Sequence, residues 1–263
     1  MEYSSECQVI DRKVDKSQIP VCTILGVKIA AINMDWLLKY LENHISKLSG
    51  DYICVSNVHT TVTASEDEQY MRIQNGGVMA IPDGGPLSSV GRKRGFVEME
   101  RITGPSLMEE IFKISAEKGY RHYFYGATDD TLIKLKRKLL EKYPGIQIAG
   151  MFSPPFKNTL TAEEDMEHVQ RINEASADFV WIGLGAPKQG RWMAAHQGKI
   201  KGLMIGVGAG FDYHADNIKR APEWMQKNNL EWLYRLLQDP KRLFKRYLHT
   251  NPKFIWQVMI RGK

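Results

Sequence analysis

Asp83 stands where a carboxylate can act as a base. It follows a five-residue apolar run, 77–81, that reads as a buried strand broken by Pro82. Gly84, Gly85 and Pro86 come next, residues that turn the chain and let another molecule approach the backbone closely. In an open α/β sheet the carboxyl ends of the strands form the ligand edge, and a carboxylate held there can take a proton from a hydroxyl. The same residues also fit a turn aspartate that only bonds its own backbone. This stretch alone leaves both readings standing.

A second group is cationic. Arg242 and Arg246 are four residues apart in a helical pattern, so they share a face, and Arg235 lies on the helix before them. Such a run is either a solvated face or one that meets an anion. The seven His include no His-x-x-x-His pair, and there is no Asp-x-Asp. No metal site is therefore expected, and if a phosphate departs here, arginines must neutralise it. Gly183-Leu184-Gly185 and the glycines from Gly206 to Gly210 invite a dinucleotide reading. Neither is Gly-x-Gly-x-x-Gly and neither opens the first βα unit, so no cofactor is expected. A Gly-x-Ser-x-Gly nucleophile turn is also lacking.

These residues need a frame. The pattern predicts strands over 21–29, 52–57, 77–81, 120–125, 146–151, 178–183 and 201–207. Helices alternate with them: one capped by Asn33 and running to 47, one to 74, one begun at Pro105, and others after Thr128 and Thr161. A short helix starts at Arg191. The alternation implies an α/β fold with a doubly wound, mostly parallel, Rossmann-like sheet. Its strand-end loops, Asn57 to Thr60, Asp83 to Gly85, Tyr125-Gly126, Gly185 to Gln189 and Phe211-Asp212, are expected to meet in one cleft. Beyond Pro222 the strand pattern stops. A helix over 222–238 and a second from Asp239-Pro240, broken at Asn251-Pro252, predict a helical appendage. The chain is thus divided into a polar tail (1–20), an α/β body (21–218) and the appendage (219–263).

The charge agrees with that division. Residues 219–263 carry 11 basic and three acidic side chains, whereas the other 218 residues carry 25 and 27, so the whole net charge of +6 comes from the end of the chain. Trp224, Trp232, Tyr234, Phe244, Tyr247, Phe254 and Trp256 lie in the same segment. Basic plus aromatic points to an anionic partner: a lipid surface, a diphosphate or a nucleic acid. No apolar run approaches the roughly 20 residues that span a bilayer. Cys7, Cys22 and Cys54 are widely spaced and odd in number, as expected of reduced cytosolic thiols.

Seven runs carry a resemblance that no single one would support: Ile81 to Gly84, Glu100 to Gly104, Phe124 to Ala127, Trp181 to Gln189, Gly206 to Asp212, Arg220 to Pro222 and Glu231 to Leu236. In order and spacing the chain resembles the WecG/TagA/CpsF glycosyltransferases, glycosyltransferase family 26, from about Val21 to Phe254. The resemblance implies the GT-E type of α/β fold with a mobile basic appendage. It further implies a metal-independent, inverting transfer of a hexose or N-acetylhexosamine from a UDP-sugar to a lipid-diphosphate-linked sugar, at the inner face of the cytoplasmic membrane. Carried over, Asp83 is the general base, Arg101 and Gln189 line the nucleotide-sugar site, and Arg235, Arg242 and Arg246 engage the diphosphate. Asn57 falls at a family position in the active-site loop, which also holds Thr60; Gly126, Gly185, Pro187, Lys188, Asp212 and Arg220 fall in the matching runs, and all of these are expected to contact substrate. The chain departs from many relatives at Val55, at Gly85-Pro86 and at Gly190, which leaves the donor and acceptor sugars open.

The enzyme is thus expected to sit peripherally on the membrane, and a soluble form to self-associate through surface that lipid would otherwise cover. A nucleic-acid-binding protein is the competing reading of the basic tail, but no nucleic-acid signature accompanies it. A non-catalytic UDP-sugar sensor is a third, which predicts binding without turnover.

Overall fold

The structure is a computed structural model that describes residues 15–155, 160–228, 230–260 and 262. One eight-stranded sheet forms the centre. Its strands are β1 (Val21–Ile24), β2 (Val27–Ala30), β3 (Tyr52–Ser56), β4 (Met79–Pro82), β5 (Arg121–Gly126), β6 (Gln147–Phe152), β7 (Phe179–Gly183) and β8 (Leu203–Gly206), in the spatial order β1-β2-β4-β3-β8-β7-β5-β6. Only β1 and β2 are antiparallel; every other pair is parallel.

The sheet is buried on both faces, which is why its strands read as continuous apolar runs. Side chains still alternate. Phe124, Phe179, Trp181, Leu203 and Ile205 pack on one face, with Leu37 of helix α1 (Met34–His44), Ile111 and Phe112 of α5 (Gly104–Lys118) and Leu135 of α6 (Asp129–Lys142). Tyr123, Tyr125, Val180, Ile182 and Met204 pack on the other. That second face is covered by α2 (Val58–Glu66), α3 (Glu68–Gly76), α4 (Gly85–Lys93), α7 (Ala162–Glu174) and α8 (Lys188–Ala195), through residues such as Val62, Tyr70, Leu87, Ile172 and Met193.

The predicted strand over 21–29 is in fact a hairpin. Its turn is Leu25-Gly26, with φ of 50° and 85°, between the facing pair Ile24 and Val27. Two-residue turns of this hand need φ > 0 at both central positions. Gly26 adopts that readily; Leu25 is held there by burial of its side chain. Helix α4 begins directly at Gly85-Pro86, so the basic segment 91–95 is the end of a helix and the turn after it, and α8 begins at Lys188 rather than Arg191.

After β8 comes the one-turn helix α9 (Gly210–His214), and then helices only: α10 (Glu223–Lys227), α11 (Glu231–Gln238) and α12 (Pro240–Ile255). The helix predicted over 222–238 is two pieces, one ending at Lys227 and the next beginning at Glu231. Pro252 does not break α12 as expected: it sits inside the helix, which passes into a π-helical turn at Trp256–Ile260. Proline frees the carbonyl four residues back, here that of Leu248 on the exposed side of the helix, where water can reach it. α12 lies against α2 and buries Leu243, Thr250 and Phe254, whereas Phe244, Leu248 and Ile255 point outward. Among the described residues no helix is long and apolar enough to cross a membrane.

Candidate active site

A cavity of about 600 Å³ opens where the carboxyl ends of β3, β4 and β8 face the inner sides of α11 and α12. Asn57, Asp83, Arg101 and Val207 line the sheet side; Glu231, Trp232, Arg235, Arg246 and Tyr247 line the helical side. Residues more than 100 positions apart thus form one enclosure.

Asp83 is placed by the ladder it extends. Past Pro82 its backbone N–H still donates to the carbonyl of Ser56 at 2.8 Å, so the side chain leaves the sheet at the rim. Its Oδ2 accepts from Asn57 Nδ2 at 3.4 Å. Burial pushes the Asp83 carboxyl above its ordinary range and Glu231 adds to this, while Arg101, the Asn57 hydrogen bond and Arg235 oppose it. A carboxylate that is desolvated yet still charge-supported is a stronger base than one in water.

Asn57 has a second task. Its Oδ1 caps α2 by accepting from the Thr60 N–H at 3.2 Å, and Thr60 Oγ1 accepts from the Asn57 N–H at 2.9 Å. This reciprocal capping box leaves Asn57 Nδ2 free to reach Asp83. Thr60 is buried and acts in the cap.

Arg101 ties the two walls together. Its Nε donates to the Asp83 carbonyl at 3.0 Å, and its Nη2 forms an ion pair with Glu231 of α11. The other Glu231 oxygen accepts from Tyr213 OH at 3.4 Å, and the Arg235 guanidinium lies over the Tyr213 ring, 5.4 Å from its centre. Arg235 and Arg246 have no carboxylate partner among the described residues. Four cationic side chains (Lys93, Arg101, Arg235, Arg246) and two acidic ones (Asp83, Glu231) line the cavity, a surplus of two positive charges. The side chain of Arg242 lies outside the described residues.

The remaining expected contacts do not line this cavity. Gln189 is buried, and its amide is engaged at both ends: Nε2 donates to the Gly206 carbonyl at 2.9 Å and Oε1 accepts from the Gly208 N–H at 3.0 Å. It shapes the loop after β8, whose Val207 and Ala209 do line the cavity. Gly126, at φ 125°, packs so closely on Gly183 that a Cβ would come within 2.7 Å of its carbonyl carbon. Gly185 and Pro187 lead into α8, where Lys188 is exposed. Asp212 accepts from Asn217 Nδ2 at 3.1 Å and Thr131 Oγ1 at 3.4 Å. Arg220 pairs with Glu109 at 3.3 Å in a separate hollow beside His214. The expectation of one cleft shared by five loops is therefore met at the ends of β3 and β4, met after β8 by Val207, Ala209, Gly210 and Tyr213 rather than by Phe211-Asp212, and not met at the ends of β5 and β7.

Tyr213, Glu231 and His59 are cavity residues that the sequence reading passed over. Glu231 was in plain view within the Glu231 to Leu236 run; what gives it meaning is a partner 130 positions away. Among the described residues no group of three or more His, Cys, Asp or Glu is arranged to hold a metal ion.

Comparison with known proteins adds a family to this geometry. The family described as Glycosyl transferase WecG/TagA/CpsF matches residues 22–263. Over 240 residues the chain is 31% identical to the N-acetylglucosaminyldiphosphoundecaprenol N-acetyl-beta-D-mannosaminyltransferase of Bacillus subtilis (strain 168), covering 90% of each protein. The enzyme of the same name from Staphylococcus aureus (strain MW2) is 26% identical over 247 residues, 93% of this chain and 94% of that protein.

Proposed function

The chain belongs to the WecG/TagA/CpsF family of glycosyl transferases, and on that footing we propose that it moves an N-acetylhexosamine unit, first among them N-acetylmannosamine, from a UDP-sugar to an N-acetylglucosamine carried on undecaprenyl diphosphate. The names of the relatives support the sugar and the acceptor. The observation that carries the reaction is the pairing, in one cavity, of a desolvated carboxylate with the guanidinium groups of Arg235 and Arg246, which have no carboxylate partner among the described residues.

In the proposed step the Asp83 carboxylate takes the proton of the acceptor hydroxyl as its oxygen attacks the anomeric carbon. The bond from that carbon to the β-phosphate oxygen breaks and its electron pair leaves with UDP. Inversion follows from a single displacement. Arg235, whose charge bears on Asp83, is the group available to stabilise the charge on the departing diphosphate, held in place before the reaction rather than recruited from solvent, and Arg246 adds a second positive charge to the cavity that takes the two substrates. Arg101 fixes the Asp83 loop through its carbonyl, and its ion pair with Glu231 holds α11 over the site. Gln189, Gly126, Gly185, Pro187, Lys188 and Asp212 would serve the donor side by shaping the rest of the sheet edge, and Arg220, tied to Glu109 in the separate hollow, takes no part in the step.

Residues 219–263 form, on this reading, the part that seats the enzyme on the inner face of the cytoplasmic membrane. Leu237, Phe244 and Leu248 are exposed on the stretch that carries Lys241 and Lys245, and Trp224 is exposed as well. Basic residues near an anionic leaflet contribute about 1 kcal/mol each. The test of the reaction is UDP release across a set of UDP-sugars with an N-acetylglucosaminyl prenyl diphosphate acceptor, with and without EDTA. Transfer from at least one UDP-sugar, undiminished by the chelator, is expected; no transfer from any donor would end the proposal.

A further inference from the structure

Two nitrogen atoms in the cavity wall are buried without any hydrogen-bond partner: Nδ1 of His59 and Nε of Arg246. Buried polar atoms are almost always paired, and each exception asks for an explanation. His59 is in the first turn of α2, two residues after Asn57, and Arg246 is on the facing side of α12. No protein hydrogen bond reaches either ring nitrogen of His59 or the guanidinium of Arg246 among the described residues. Packing does not require such an arrangement, since a leucine would fill the His59 position with no orphaned atom.

The neighbourhood selects the missing partner. The charged groups that bear on His59 are Arg246 and His249, both on α12. Glu66, the nearest acid on α2 in the chain, is already bridged to Lys253 and His249. Burial, Arg246 and His249 together hold the His59 imidazole neutral, with its pKa lowered to about 4. A neutral imidazole beside a guanidinium that lies over the Tyr247 ring and has no carboxylate partner among the described residues is a poor seat for a cation. Neither buried atom is open to solvent as the side chains stand, so a partner has to come through the cavity that both residues line; a water molecule there would satisfy the imidazole but would leave the Arg246 charge uncompensated. An oxyanion does both.

We propose that His59 is a substrate-binding residue whose imidazole N–H donates to a non-bridging oxygen of a diphosphate, next to the guanidinium of Arg246. This rests on the reading of the reaction given above, in which both donor and acceptor carry a diphosphate. The acceptor is the expected source. From Arg246 the cavity wall continues along α12 through Thr250 and Asn251 to Phe254 and Ile255, nine residues or about 13 Å of helix. It passes from charged to apolar and ends at the exposed Ile255 and Trp256. A diphosphate at His59 with its lipid running toward Ile255 matches that gradient; the UDP end of the donor does not.

The test compares His59→Leu, which keeps the volume, with His59→Gln, which restores a donor. For an N-acetylglucosaminyl prenyl diphosphate, His59→Leu is expected to raise the acceptor KM about 10- to 100-fold, the loss of one hydrogen bond to a charged group. The donor KM and kcat stay near the wild-type values, and His59→Gln recovers part of the loss. A rise in the donor KM instead assigns the same contact to the UDP diphosphate. Unchanged KM values for both substrates in His59→Leu would overturn the proposal. A second measurement does not depend on turnover: titration with inorganic pyrophosphate, followed by imidazole nitrogen NMR. Bound pyrophosphate should shift the His59 signals and raise its titration midpoint, and His59→Leu should weaken pyrophosphate binding about tenfold or more. If wild type binds pyrophosphate in this way but transfers no sugar, the reaction assigned above is wrong while the contact stands. If it transfers sugar and the His59 signals ignore pyrophosphate, the contact is wrong while the reaction stands.

Discussion

Replacing Asp83 by Asn separates the chemistry from the fold, because the two respond in opposite directions. The amide keeps the shape, can still accept from Asn57 Nδ2, and leaves the backbone carbonyl that Arg101 holds. What it removes is the ability to take a proton, worth about 10²–10⁴ in rate, or roughly 2.7–5.4 kcal/mol of barrier. Stability moves the other way. In the folded protein the Asp83 carboxyl titrates above its ordinary value of 3.8, chiefly through burial. Between the unfolded and folded pKa values the folded state therefore binds more protons. Its stability falls as pH rises through that window and stays lower above it. Asn carries no such penalty, so Asp83→Asn is expected to melt no lower than wild type at pH 7, and higher if burial dominates. Wild-type kcat should fall on the acid side as Asp83 is protonated, and that limb should vanish in the variant. Steady-state UDP release from pH 4.5 to 8, paired with calorimetry, reads both. A variant within about threefold of wild-type kcat would refute the base assignment, and a clear drop in Tm would refute the burial argument.

Three further outcomes follow from the same geometry. Glu231→Ala leaves Arg101 without its carboxylate in a partly buried setting, at a cost of about 1–3 kcal/mol; limited proteolysis near residues 219–230 should quicken, and unchanged protection would mean that the ion pair does not hold α11. Replacing Leu237, Phe244 and Leu248 by Ser removes apolar surface that no core residue needs; at about 1 kcal/mol each, binding to phosphatidylglycerol vesicles should weaken about 100-fold with the Tm unchanged, and persistent sedimentation with vesicles would place the membrane contact elsewhere. His59, His122 and His214 are held neutral with pKa values lowered to about 4, about 3 and about 4, chiefly by burial. The unfolded chain takes up protons on these rings first, so stability present above about pH 6.5 should be lost progressively toward pH 4; a flat denaturation midpoint over that range would contradict the burial of these rings.

The sheet was legible because parallel strands buried on both faces announce themselves as apolar runs, and helix caps such as Asn33, Thr128 and Thr161 mark where the chain turns back. The hairpin at Leu25-Gly26 was not, since a leucine at positive φ carries no turn signature and a single Gly26 does not by itself mark a turn in the mostly apolar run 21–29. Pro252 misled for a related reason. Whether a proline breaks a helix depends on what receives the carbonyl it frees, and that is decided by the tertiary setting. Within the site, Asp83 and Asn57 could be read from their positions at strand ends, because topology alone puts strand ends on one edge. Gln189 has the same kind of position but turns its amide into the backbone of 206–208, and residue type does not reveal which way an amide faces.

What no local pattern contains is the closure of the cavity. Asp83 rests on a rim fixed by the β3–β4 ladder, whereas Arg235 and Arg246 ride on helices joined to that rim by the Arg101–Glu231 pair and by the packing of α12 on α2. Single-strand reasoning sees a carboxylate in one place and a basic helix in another, each with an ordinary explanation. Their chemistry exists only when the two surfaces meet, and what makes them meet is the packing of α12 on α2 together with one ion pair. Membrane seating of the outer face of α12 would bear directly on those contacts, because the same helix presents Phe244 and Leu248 outward and Arg246 and Thr250 inward. Lipid on one side would then favour the arrangement of charges on the other. An enzyme built this way should turn over soluble acceptors more slowly than vesicle-borne ones even when both bind, and equal kcat for the two would separate the membrane contact from the closure of the site.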